Sequence, residues 1–389
     1  MVKILTYPEI NTTAWQELVD SSPYATWFQT KEAYEFYVAN PDEMTPFVVG
    51  VVEDVECKAE SVKCKGEENG KADAPASSPY TLHPTPTLKG VIVGYITRER
   101  NPIKQYFTCR SIIIGGPLLD EHISDEALSA LLSAIAQCKV EGLKFKGVEN
   151  SKADTPASTL YTLHPTPIFI ESRNFHDYSK WKSVFETNGF AYQPHYDIHV
   201  HCNATHTMSE RRQRELKRAV KNGAKIVEAS SEQEICDWYQ ILSQLYRQKV
   251  RTPLWSEAFF LQFYRQRIGK FLLVKYQGKV IGGMMCPILN GRAIYEWYVC
   301  GLDEEYRDLF PSVMATHAAI EYAKTNALPL FDFMGAGEPD IPYGVRDFKM
   351  EFGGELIEHG RFLCIRKPLL YWIGKMGVKW LKRRINKQQ

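Results

Sequence analysis

The sequence predicts an α/β (α+β) fold built as two similar modules, and three observations carry that expectation. Strand-like and helix-like stretches follow one another in the same rhythm twice along the chain. The 389 residues exceed what one hydrophobic core usually supports. A content of 44% hydrophobic and 24% charged residues is that of a soluble globular protein.

Taken in order, Trp15–Ser21 and Thr30–Ala39 read as helices and lead into a hairpin of Phe47–Val52 and Gly90–Tyr95. The strand Arg110–Ile114, a helix over Glu126–Cys138, the strand Ile168–Glu171 and the helix Tyr178–Asn188 follow. Tyr196–His201 alternates like a strand and opens the second half. There a helix over Ser209–Asn222 precedes the strand Lys225–Glu228 and a long helical region, Glu232–Arg267. A hairpin, Phe271–Tyr276 with Val280–Pro287, turns at Gln277-Gly278-Lys279. The strand Ala293–Cys300, the helix Ser312–Thr325 and the short strand Phe331–Phe333 complete the pattern.

An internal repeat interrupts the first half. Lys65–Pro86 recurs 81 positions later as Lys146–Pro167, with five differences in 22 positions. Solenoid units continue into their flanks and occur at least three times, and these do neither. Both copies are rich in Pro, Ser, Ala and Thr, so neither buries enough apolar surface to fold alone. They read as duplicated loop insertions, about 58–89 and 146–167, which removes His83 and His164 from the candidate ligands.

A formal net charge of +1 argues against a protein that coats nucleic acid, so binding to polyanions needs local patches. Nine cysteines without a C-x-x-C pair, and an N-terminus lacking a signal-peptide apolar region, point to reduced thiols in the cytoplasm. No apolar run approaches the roughly 18 residues needed to span a bilayer. The G-x-S-x-G elbow, the P-loop and G-x-G-x-x-G are all missing.

Chemistry concentrates in four places. Phe331–Gly335, a loop with Gly337, Pro339, Pro342 and Gly344, and then Phe348–Glu355 hold Lys349 between two phenylalanines. Such a lysine suits a developing anion, or is an ordinary surface lysine. In the helix over 209–222, Arg211, Arg214, Lys217, Arg218 and Lys221 form a ridge that can grip phosphates or remain a solvated face. Arg247, Lys249 and Arg251 add a second basic cluster. His195, His199 and His201 resemble a metal trio but lack a carboxylate or cysteine at ligand spacing, so no metal site is expected. After Glu358 the chain has no acid, while Leu369, Trp372, Ile373, Met376, Trp380 and Leu381 fall at helical spacing. That tail, 366–389, is a basic amphipathic helix suited to an anionic membrane surface or to docking on the protein's own core.

Arg211–Gly223, the pattern Tyr295-Glu296-Trp297-Tyr298-x-x-Gly301-Leu302-Asp303, Pro311–Ala323 and the block Phe331–Glu355 together resemble the FemABX aminoacyltransferases and their GNAT-like relatives. The resemblance is strongest over about 205–357. It implies two tandem GNAT-like domains with mixed sheets flanked by helices, at 1–203 and 204–365, and then the 366–389 tail. It also implies transfer of an amino acid from aminoacyl-tRNA to an amine of a lipid-linked or nucleotide-linked peptidoglycan precursor, without a cofactor, at the inner membrane face. On that resemblance Lys349 stabilises the reacting carbonyl and Arg214 lies near substrate phosphates.

Aminolysis of an ester needs a neutral amine, an oxyanion donor and positioning. Lys349 is the expected donor, Asp332, Asp347 or Glu296 the proton acceptor, and Tyr295 and Tyr298 line the cleft. Arg211, Arg214, Lys217, Arg218, Arg251 and Phe348 join them as substrate-binding residues. Two alternatives stay open. One is an acyl-CoA-dependent N-acyltransferase acting on a cell-envelope amino sugar or lipid intermediate, and the other a non-catalytic GNAT-like binding protein. Acyl-CoA relatives usually carry a glycine-rich pyrophosphate loop before a helix, and here that position reads Tyr306–Pro311 without glycine.

Overall fold

The computed structural model describes residues 2–54, 86–99, 101–137, 166–203 and 208–385. Of the repeated YTLHPTP segments, residues 80–85 and 161–165, with His83 and His164, lie outside the described residues; Pro86–Lys89 form the start of a strand rather than part of an insertion, and Thr166 and Pro167 lead into the next strand.

The chain begins with β1 (Val2–Thr6), and Asn11 then caps α1 (Thr12–Ser21) by accepting the Thr13 and Ala14 amides. Thr30 caps α2 (Lys31–Val38) through the Ala33 amide. The hairpin β2 (Met44–Asp54) and β3 (Pro86–Thr97) is followed by α3 (Pro102–Thr108), β4 (Ser111–Gly115) and β5 (Leu118–Leu119). Ser124 caps α4 (Asp125–Ala136), whose acidic first turn suits the positive end of a helix dipole. Then come β6 (Phe169–Asn174), α5 (Lys182–Thr187) and β7 (Ala191–Gln193).

The second half holds β8 (Tyr196–His201), α6 (Glu210–Lys221), β9 (Lys225–Glu228), α7 (Glu232–Leu245) and α8 (Glu257–Gln266). The expected continuous helical region is therefore divided. A π-type turn over Tyr246–Val250 ends at Arg251, which has φ 56, and Pro253 keeps the preceding residue out of helical space. Next are β10 (Gly269–Tyr276), β11 (Lys279–Leu289), β12 (Ala293–Tyr295) and β13 (Tyr298–Gly301). The chain closes with α9 (Pro311–Thr325), β14 (Leu330–Asp332), α10 (Gly344–Met350), β15 (Glu355–Glu358), β16 (Arg361–Ile365) and α11 (Pro368–Ile385).

Two mixed sheets result. One runs β1-β2-β3-β4-β6-β16-β7 and the other β15-β8-β14-β12-β11-β10-β9, with β5 added to β3 and β13 to β11. The pairs β4–β6 and β12–β14 are parallel. The expected boundary at 203 does not match this partition. Strand β8 already belongs to the second sheet, while β16 returns to pair with β6 and β7 of the first. The chain thus crosses between sheets twice at one place, where the Gly360 amide donates to the His195 carbonyl. Apolar alternation tells which residues are buried but not which sheet a strand joins.

The halves share a core. Trp297 of the second half packs its ring 5.1 Å from Phe28 and 5.8 Å from Trp27 of the first, and 5.5 Å from Phe259. Tyr295 meets Phe28 and Phe175 at 5.6 and 6.0 Å. Aromatic rings buried on this scale make the seam part of the hydrophobic interior.

Candidate active site

A break in one strand opens the site. Ile294 faces Ile288 on β11, but Tyr298 faces Met285, so the register moves by one residue between β12 and β13. This bulge takes up Glu296 and Trp297: the Glu296 amide donates to the Asp332 carbonyl of β14 and the Trp297 amide to Met285 of β11. Strand β12 continues beside β14 while β13 stays on β11 alone. Glu296 turns into the interior at that point and is buried.

Lys349 answers it. The expectation of a lysine in a loop, clasped by its sequence neighbours, is corrected here: Lys349 sits on α10. Phe348 and Phe352, four apart, share a helix face and pack on the Arg212 guanidinium instead, at 4.5 and 5.7 Å. Lys349 Nζ donates to the carbonyls of Phe333 and Gly335 at 2.8 and 2.9 Å and pairs with Glu296 Oε1 at 2.9 Å, over the Phe333 ring at 5.2 Å. An ammonium has three donors, and all three are engaged. Burial pushes the Glu296 carboxyl up, against the pull of Lys349.

Beside this pair lies a cluster that the sequence reading did not assemble. Asp332 Oδ2 stands 3.4 Å from His199 Nε2 across the antiparallel β8–β14 ladder. Asp332 Oδ1 accepts the Met334 amide, and Asp197 Oδ1 accepts the amides of Ile198 and Gly335, at 2.6 to 2.7 Å. Burial pushes the Asp197 carboxyl well up, helped by the charge of Asp332. Asp332 is held low despite its own burial, by His199. The two carboxyls therefore divide roles, Asp197 holding the proton and Asp332 the charge. Burial works to neutralise His199, yet the carboxylate of Asp332 prevails and raises it. Buried His199 Nε2 and Asp332 Oδ2 face each other at 3.4 Å, outside good hydrogen-bond geometry. Ligand atoms of Asp197, His199 and Asp332 lie within 4.8 Å of one another, a donor set that could hold a divalent cation.

Of the three histidines in the sequence pattern, only His199 joins this cluster. His195 Nε2 is 2.8 Å from Arg361, and burial together with that guanidinium pushes it down to about 4. His201 is exposed, 3.5 Å from Glu355. From the first half His176 approaches, pushed down to about 4 by burial and by His199. Arg173 and Arg361 both pair with Glu171 at 2.9 Å and, against the effect of burial, hold it down to about 2. A recoverable signal existed: Asp197 and His199 share one face of a strand buried on both sides, an unusual place for polar residues.

The other expected residues separate into groups. Asp347 is exposed on α10, away from the cluster that Asp332 and Glu296 form. Tyr295 is buried in the aromatic seam, and Tyr298 packs 5.1 Å from Phe260. Arg211, Arg214, Lys217 and Arg218 are exposed along α6, with Arg218 paired to Asp308 at 2.8 Å and Arg211 to Glu215 at 3.0 Å. Arg212, from the same run, is buried and paired with Glu215 and Glu351. Arg251 is exposed and donates to the Gln248 carbonyl.

At the start of α9 the protein uses its own anion. Asp303 accepts the Ser312 amide at 3.0 Å and its hydroxyl, and Pro311 supplies no N–H. This helix N-terminus, a place that elsewhere binds phosphates, is internally capped.

Residues 208–350 match the family described as acetyltransferase (GNAT) domain, and the fold is of the GNAT acyltransferase type. In structure, the whole chain is similar to FemX, with a TM-score of 0.61 at 13% identity over 95% of this chain and 99% of that one. These findings support the FemABX resemblance and a fold of two tandem GNAT-like domains. Lesser likenesses are to L-PGS from Bacillus licheniformis (TM-score 0.46, 12% identity, 72% and 81% covered) and to a tandem GNAT protein from the clavulanic acid biosynthesis pathway (0.47, 8%, 93% and 98%). No curated protein matches the chain in sequence. Among the described residues, no helix is long and apolar enough to cross a membrane.

Proposed function

We propose that the protein transfers an amino acid from aminoacyl-tRNA to an amine of a peptidoglycan precursor. The observation that carries this reading over an acyl-CoA-dependent one is the Asp303 cap. A carboxylate already occupies the helix end that would hold a pyrophosphate, and placing a second anion there would bring like charges together. The exposed cations Arg211, Arg214, Lys217 and Arg218 on α6 offer a separate grip for a tRNA backbone.

In the reaction the amine nitrogen attacks the ester carbonyl, a carbon–nitrogen bond forms, and the carbon–oxygen bond to the tRNA ribose breaks. The proton released by the amine passes to the His199–Asp332 pair, and a proton returns to the departing ribose oxygen. Asp332 keeps His199 basic and oriented. Lys349 acts in this scheme as a positioning residue. It fixes the Phe333–Gly335 carbonyls and balances Glu296, and it reaches a substrate oxyanion only by releasing one of those partners.

The test incubates the protein with a lipid-linked or nucleotide-linked muropeptide and either charged tRNA or acyl-CoA, and weighs the acceptor. Growth by one aminoacyl residue with charged tRNA alone is the expected result. Growth with acyl-CoA alone would overturn the choice of donor, and no growth with either would leave the non-catalytic alternative standing.

A further inference from the structure

Two helices far apart in sequence expose a joint apolar surface that the transfer chemistry does not use. On α3, Ile103 is 71% exposed and Tyr106 and Phe107 project beside it; on α11, Leu369 is 74% exposed, with Trp372, Ile373 and Met376 along the same segment. The helices meet directly. Lys367 Nζ lies 4.5 Å over the Tyr106 ring, and a groove between them is lined by Phe107, Ile168, Leu370, Tyr371 and Lys375. The start of α11 is pinned, since the amides of Arg366 and Lys367 both donate to the Ile168 carbonyl and Tyr371 packs 5.7 Å from Phe169. Single exposed apolar residues need no explanation, but seven on two adjoining helices do.

The charge around this surface is mainly positive, its acid Glu99 pairing with Lys104 at 2.7 Å. Residues 98–110 carry Arg98, Arg100, Lys104 and Arg110 against Glu99 alone, and beyond Glu358 the chain has nine cations and no acid. We propose that the α3–α11 surface docks the protein on an anionic lipid leaflet. The exposed rings and aliphatic side chains enter the headgroup boundary while Lys104, Lys367 and Lys375 meet lipid phosphates. A second copy of this chain fits less well, because a two-fold contact would set the same cationic rim against itself. The helix alone, as read from the sequence, was equally suited to docking on the core. Its packing beside α3 turns the exposed residues of both helices outward together.

The proposal is independent of which donor the enzyme uses, and flotation tests it without any assay of transfer. The full chain is mixed with vesicles of phosphatidylcholine alone or with 30% phosphatidylglycerol added, as are a Phe107→Glu/Trp372→Glu variant and a chain lacking 366–389. Because the two substituted side chains are exposed, thermal unfolding of the double variant stays at the wild-type midpoint. The expected result is flotation of the wild type only with the anionic vesicles, reduced at least ten-fold in both altered proteins. Equal flotation of all three, or none by the wild type, would overturn the proposal. So would a dimer, seen by light scattering, that the double variant abolishes while flotation is unchanged.

Discussion

Lys349 and Glu296 form an ion pair of 2.9 Å that is sealed from water, joining helix α10 to the bulge between β12 and β13. Because both groups are buried, removing one leaves the other without a partner for its charge. Lys349→Met is therefore expected to destabilise the fold by about 3–5 kcal/mol as well as to stop transfer. The double variant Lys349→Met/Glu296→Leu should recover much of that stability in urea unfolding. If it also recovers transfer, Lys349 positions nothing that the reaction needs.

The His199–Asp332 pair gives the second expectation. Replacing a general base costs typically 10²–10⁴ in rate, so His199→Gln should lower kcat by about that factor. Asp332 raises His199 above its ordinary value of 6.5, so the acidic limb of the wild-type rate profile falls above 6.5. A variant that keeps that limb unchanged would show that His199 does not carry the proton.

Stability should weaken as the medium is acidified from about 6.5 to 4. His176 and His195 are each held down to about 4 from 6.5, so in that window the unfolded chain binds protons that the folded protein refuses. Their contribution is fully present above 6.5 and is lost as pH falls through 4. His176→Gln should flatten this dependence in denaturant titrations at several pH values. An unaltered slope would mean that the folded-state histidine titrates normally.

On α6, neighbouring arginines divide between two duties. Arg214→Glu/Lys217→Glu should weaken tRNA binding and reduce the salt slope by about 1 to 2, with stability unchanged, since both side chains are exposed. Arg212→Met should do the reverse, because Arg212 is buried on Phe348 and paired with Glu215 and Glu351. Filter binding at several salt concentrations and thermal melts separate the two.

Periodicity made most elements legible: Tyr196–His201, Lys225–Glu228 and the hairpin around Gln277-Gly278 stand where alternation and turn residues put them. Helix α3 and the strands β15 and β16 were not legible, being segments of four to seven residues, too short for a period to show. Lys349 lies over the Phe333 ring and not between its sequence neighbours, since residues one apart on a helix face different surroundings.

By itself the sequence determined the alternation of strands and helices, the cationic ridge of α6 and the apolar spacing at the C-terminus, all of which depend on residues near one another in the chain. Only the tertiary structure decided that Asp197 and His199 of β8 face Asp332 of β14, that Lys349 neutralises Glu296, and that β16 returns to the first sheet. The physical reason is that pattern reports which side chains leave water, whereas a partner for a buried charge is fixed by register and strand order, which no local spacing encodes.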